Sequence, residues 1–194
     1  DYAPYEVREI IDSNNDVRDI PHIATDYLFR VLEEMRAGTI EPGHILIFVA
    51  GNADCQTILR SILQRAEMNN NENERKIIHL RVPFEEFSTE ESIYQDIERE
   101  AYNPDYLYIF PIQLAGYVSQ VQKSVAQKPL PKNLKNVIKI IVSTNIIESS
   151  ITILDLAAVI DSGLYNRAKF DPETEITNIT KESISLKKRK SWKN

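Results

Sequence analysis

The stretch Ile140-Ile141-Val142-Ser143-Thr144-Asn145-Ile146-Ile147-Glu148-Ser149-Ser150-Ile151-Thr152-Ile153 decides how this chain is read. It opens as a run of β-branched residues, which suits a strand buried on both faces of a sheet. It then delivers a cluster of hydroxyl and amide groups where that strand ends. In an open parallel sheet the carboxyl ends of the strands are the edge at which ligands bind. Free backbone N–H groups there, with the short side chains of Thr, Asn and Ser, make a neutral grip for phosphate oxygens that needs no excess of basic residues. A capping cluster, with Ser149 or Ser150 opening a helical turn and Glu148 in solvent, accounts for the same residues. Spacing alone leaves both readings open.

Working outward, apolar runs of strand length alternate with segments of helical period. The spacing predicts strands over Tyr5 to Ile11, His44 to Val49, Ile77 to Val82, Leu107 to Phe110, Ile138 to Ser143 and Ala157 to Ile160. Between them it predicts helices over Ile23 to Arg36, Ala53 to Glu67, Glu90 to Ala101 and Gly116 to Gln127, with apolar residues three and four apart such as Ile58, Leu59, Ile62 and Leu63. That alternation implies an α/β fold, an open and mostly parallel sheet with helices on both faces. Met68 to Arg75 reads as a solvated loop. Leu164 to Phe170 and Glu175 to Ile179, joined by Asp171-Pro172-Glu173-Thr174, read as a turn between two extended segments. Lys187-Lys188-Arg189-Lys190 has no apolar periodicity and reads as a frayed, solvated end.

Composition narrows the classes. The chain has 194 residues, 42% of them hydrophobic and 27% charged, which is ordinary globular usage and enough for one α/β domain. Its net charge of −6 excludes a protein held to nucleic acid by bulk electrostatics, so any contact with a polyanion must be local. A single cysteine, Cys55, excludes an intrachain disulfide framework and points to a reducing, intracellular setting. The apolar runs are far shorter than the roughly 20 residues that cross a bilayer, so no membrane partner is expected. There is no G-x-x-x-x-G-K-[ST] phosphate loop, no G-x-G-x-x-G and no H-E-x-x-H. His22, His44 and His79 fall on different predicted elements and read as surface or packing residues. The chain starts at Asp1 and stops in a basic stretch, as a piece of a longer protein would.

Residues 143 to 153, followed by Val159-Ile160-Asp161-Ser162-Gly163, closely resemble motif V of the DEAH-box (DEAH/RHA) helicases, A-T-N-I-A-E-T-S-[IL]-T-I and then V-I-D-x-G. Three further segments match in order. Gly43-His44-Ile45-Leu46-Ile47-Phe48-Val49-Ala50-Gly51 is similar to motif IV, and Leu107-Tyr108-Ile109-Phe110-Pro111-Ile112-Gln113 with Gln120 and Val121 is similar to L-P-L-H-x-x-L-P-x-x-Q. Lys169-Phe170-Asp171-Pro172-Glu173-Thr174 resembles K-x-[YF]-[DN]-P-x-T.

The resemblance implies a RecA-like domain ending in a β-hairpin, the second of two motor lobes. It implies that Thr144, Asn145 and Gly51 contact the RNA backbone, and that Glu148, Ser149, Ser150, Thr152 and Asp155 lie between the RNA track and the ATP cleft. ATP and Mg2+ would be bound mainly by a first RecA-like domain, so this stretch supplies no catalytic residue and no metal ligand and is inactive alone. DNA is an alternative to RNA. Ala50 stands where the family has Thr or Pro, Gln113 stands where it has His, and its Q-R-x-G-R-x-G-R motif is missing. The spacing from about 68 to 105 exceeds the family's and suggests an insertion with its own strand and helix, a candidate site for a protein partner. Two other readings are a degenerate, non-catalytic lobe that serves as an RNA- or protein-binding platform, and a doubly wound domain for a small nucleotide.

Overall fold

The computed structural model describes residues 20–69, 77–144, 153–162, 166–171, 176–181 and 185–188. The apolar periodicity from Ile23 materialises as helix α1 (Ile20–Ala37), and His44–Val49 becomes β1, in which all six residues are buried. α2 (Asn52–Asn69) takes in Met68 and Asn69 from the expected loop. β2 (Ile77–His79) stops earlier than the spacing predicts, just ahead of Pro83, although Leu80 N still donates to Ile109 O at 2.9 Å. α3 (Glu90–Glu100) starts at a capping box in which Thr89 and Ser92 exchange side-chain and backbone bonds. β3 (Leu107–Leu114), α4 (Gln120–Gln127), β4 (Val137–Thr144) and β5 (Leu156–Asp161) follow.

α4 is shorter than predicted because Gly116 adopts φ +71°, a turn conformation, and Ser119 caps the helix by accepting from Gln122 N. β6 (Asn166–Asp171) and β7 (Ile176–Lys181) pair antiparallel as the expected hairpin. The frayed end expected at Lys187 is corrected: β8 (Ser185–Lys188) pairs antiparallel with β5, Lys187 opposite Val159 and Lys188 opposite Ala158. An edge strand is held by backbone bonds, so it needs no apolar period to form. The predicted strand Tyr5 to Ile11 lies outside the described residues.

The main sheet has the order β2-β3-β4-β1-β5-β8, with β2, β3, β4, β1 and β5 parallel and β8 antiparallel at the margin. Alternate strand residues feed two cores. Ile45, Ile47, Val49, Ile140 and Val142 pack with α1 and α2 on one face. Leu46, Phe48, Tyr108, Phe110 and Ile141 pack with α3 and α4 on the other. The predicted α/β class therefore holds.

Candidate nucleic-acid interface

Sheet order places the site. β1 leaves its carboxyl end into α2 on one face, whereas β3 leaves into α4 on the opposite face. β5 lies on the far side of β1 from β4, and Ile153 and Leu156, which lead into β5, pack into the α3/α4 core. Adjacent strands β1 and β4 are thus followed in sequence by strands on opposite sides of the pair, β2 and β5, and the crevice between their carboxyl ends is the switch point at which open α/β sheets bind ligands. Val49 stands opposite Thr144 across that crevice.

Ala50 and Gly51 follow Val49, and α2 begins at once, with Cys55 N donating to Gly51 O at 3.0 Å. A Cβ on Gly51 would meet nothing within 4 Å, and its φ lies outside the positive range, so neither packing nor backbone demands glycine there. Among the described residues the space beside it is open. On β3, the strand beyond β4, Gln113 is fixed by three bonds: its Oε1 accepts from Gln56 Nε2 at 2.5 Å, its Nε2 donates to Ala115 O at 3.2 Å, and its carbonyl accepts from Gln122 Nε2 at 2.5 Å. The next turn brings Gly116 against Asn52, whose Nδ2 lies 3.0 Å from where a Cβ would sit. α2, the β3–α4 turn and α4 thus meet at one edge through neutral amides.

The structure places Thr144 and Gly51 at this edge. Thr144 is only 6% exposed, and its carbonyl accepts from Ser143 Oγ at 3.1 Å. Its place is that of a buried anchor at the strand's last residue. Asn145, Glu148, Ser149, Ser150 and Thr152 lie outside the described residues. Asp155 does not join the group, because a parallel connection carries the chain back to the strand starts. Leu156 stands opposite His44, five registers before Val49, roughly 16 Å along the strands from Thr144. Asp155 instead holds the sheet's amino edge, its carbonyl accepting from His44 N at 2.8 Å with its own φ at +60°.

Near Asp155, burial pushes the Lys139 ammonium down to about 8 while the Asp155 charge opposes the shift. Lys139 is fully buried and donates to Val125 O at 2.8 Å, Ala126 O at 3.1 Å and Lys128 O. Sequence reasoning passed over it as one more residue of a strand. The signal was present in Pro129 and Pro131, which end α4 without supplying all the N–H donors its last carbonyls need.

Charge is unevenly spread. Residues 83–105 hold eight carboxylates against Arg99 alone, a net −7, whereas the whole chain carries −6. The rest of the chain is close to neutral, and among the described residues the crevice rim is formed by the uncharged Gly51, Asn52, Gln56, Gln113 and Thr144.

No family model matches the chain. It is 33% identical over 78 residues to the Arabidopsis thaliana DExH-box ATP-dependent RNA helicase DExH4, chloroplastic, covering 40% of this chain and 5% of that protein. It is 27% identical over 144 residues to the Homo sapiens putative ATP-dependent RNA helicase DHX57, covering 74% of this chain and 8% of that protein. With the Homo sapiens ATP-dependent RNA helicase DHX30 it shares 41% identity over 56 residues, 29% of this chain and 4% of that protein. The Escherichia coli DEAH/RHA helicase HrpB superposes at a TM-score of 0.47 with 18% identity, covering 89% of this chain and 16% of that one. The chain spans less than a tenth of the length of these curated relatives. The recognition drawn from the motifs holds: the chain is similar to DExH/DEAH-box RNA helicases.

Proposed function

We propose that this chain is the second motor lobe of an ATP-dependent RNA helicase, contacting the single-strand backbone along the carboxyl edge of its sheet and closing an ATP cleft against a first RecA-like domain. The observation that carries this reading is the coincidence of two independent lines at one place. The switch point between β1 and β4 falls on Gly51 and Thr144, the residues that the motif matches assign to RNA. Its neutral amides and open glycine suit close approach of a sugar-phosphate chain, and contacts of that kind carry little base preference.

ATP brings the phosphoryl group whose hydrolysis drives the motor, and Mg2+ offsets its charge. The amide and hydroxyl donors of this edge fit phosphate oxygens and not a divalent cation, so Mg2+ belongs with the first domain in this reading. Glu148, Ser149, Ser150 and Thr152 are assigned to the face turned toward the nucleotide. Asp155 is left out of that set by its position at the opposite edge. The segment from about 68 to 105 is read as an insertion, and its net −7 favours a protein partner over RNA there. The setting is intracellular, and among the described residues no helix is long and apolar enough to cross a membrane.

Gly51→Ala is the direct test, because nothing among the described residues opposes a methyl group at this position. In the full-length protein the variant keeps the wild-type melting temperature and binds single-stranded RNA about tenfold more weakly, equivalent to about 1.4 kcal/mol. Unchanged RNA affinity in a normally folded variant refutes the interface.

A further inference from the structure

Five large apolar side chains stand out in solvent among the described residues, and three of them are aromatic: Phe87, Tyr102 and Tyr117. Phe87 and Tyr102 belong to the acidic 83–105 segment, where a polyanion is repelled. Tyr117 lies outside it, at the carboxyl edge of the sheet, and is 98% exposed. We propose that Tyr117 is a stacking platform for a nucleobase of the single strand whose backbone runs past Gly51, an inference that rests on the RNA-binding reading above.

The turn that carries the ring is held on every side. Leu114, Ala115 and Val118 around it are all buried, and between them only Gly116 and Tyr117 turn outward, so Tyr117 carries the one side chain presented there. Gly116 makes the outward bend at φ +71°, and its backbone lies against the Asn52 side chain, next in sequence to Gly51. Gln122 ties the following helix back to Gln113 O, and Ser119 caps that helix. Among the described residues the ring belongs to neither core and stands almost wholly in water, its apolar face open to a partner. A base offers a flat apolar partner of the right size. Stacking of this kind is worth a loss of about tenfold or more per base on removal of the ring, and it tolerates any sequence because every base has a π-face. The edge then divides its work: the Gly51 side receives phosphates, and the Tyr117 side receives a base.

The test measures binding of the full-length protein to fluorescent single-stranded RNA and to an oligomer of equal length that lacks bases throughout, by anisotropy. Tyr117→Ala is expected to weaken RNA binding about tenfold or more, with the baseless oligomer unaffected, and Tyr117→Trp to restore RNA affinity. Wild-type RNA affinity in Tyr117→Ala, or equal loss with both oligomers, overturns the stacking role. Gly51→Ala weakens both oligomers if the backbone reading holds, so the two claims fail separately. Wild-type protein that binds neither oligomer overturns both.

Discussion

Replacing Lys139 by Met separates two opposed terms that the structure places on one atom. The ammonium closes the end of α4: Ser124 O is taken by Lys128 N and Gln127 O by Leu154 N, which leaves Val125 O, Ala126 O and Lys128 O to Lys139 Nζ. Methionine fills similar volume but donates nothing, and orphaned carbonyls cost about 1–3 kcal/mol each, or about 3–9 kcal/mol for the three. Against that stands the cost of burying the charge. A fall from 10.5 to about 8 corresponds to about 3 kcal/mol at 1.36 kcal/mol for each pH unit. The carbonyl term wins, and Lys139→Met is expected to lose about 3 kcal/mol of stability at pH 7. The pH dependence carries the sharper sign. Between pH 8 and 10.5 the unfolded chain keeps a proton on this lysine that the folded chain has released, so wild-type stability rises with pH through this window relative to the variant. By pH 10 the gap is wider by about 2.5 kcal/mol. Urea unfolding of both proteins at pH 7 and pH 10, followed by circular dichroism, reads it directly. A gap that stays constant or narrows on going to pH 10 refutes a buried charge at this position.

Two other outcomes follow from the same geometry. Burial, with the Asp54 charge beside it, raises the Cys55 thiol to about 12, so it stays protonated; a disulfide reagent at pH 8 should label it only at the rate of unfolding, and rapid labelling of the native protein contradicts the packed position under α2. Asp155→Asn keeps a residue type that tolerates φ +60° and removes a charge beside Lys139; it should leave RNA affinity unchanged, whereas a loss comparable to that of Gly51→Ala places Asp155 back in the coupling machinery.

The parts of this fold that were legible in the sequence are those whose side chains carry the signal. His44–Val49 and Val137–Thr144 announce themselves because residues buried on both faces must be almost all apolar, and Ile58 and Ile62 mark α2 because one stripe faces the core. β8 was not legible, because Ser185 to Lys188 pairs with β5 through backbone bonds and its sequence shows no apolar period to announce that. The start of α4 was misplaced because the helical spacing continues back to Gly116, while the positive φ of that residue breaks the chain before Ser119. Motif V pointed to the carboxyl end of β4 through Thr144, but its sequence continuity hid a change of edge. Thr144 and Asp155 are near in sequence but stand at opposite edges of the sheet, because a parallel crossover must return to the starts of the strands. Tyr117 lay inside a predicted helix and drew no attention until its exposure was known.

The two ends of the crossover are anchored by different means, and this bears on how the domain could act in a motor. At the near end Thr144 is buried and its carbonyl is taken by Ser143. At the far end Leu154 N is bonded to α4 through Gln127 O and Asp155 O to β1 through His44 N, while Lys139 ties that same helix end to β4 and its own backbone N–H donates to His44 Nδ1 at 3.0 Å. β1, β4, β5 and α4 are thereby joined at the amino edge, the side away from the crevice. A ligand that pulls on the crevice meets a sheet whose opposite edge is bolted together, so sliding one strand past another would break several buried bonds at once. Movement of the domain as a block breaks none of them. Under the function proposed above, coupling between RNA and nucleotide would therefore appear as rigid rotation of this sheet against a partner domain and not as strain spread through the sheet.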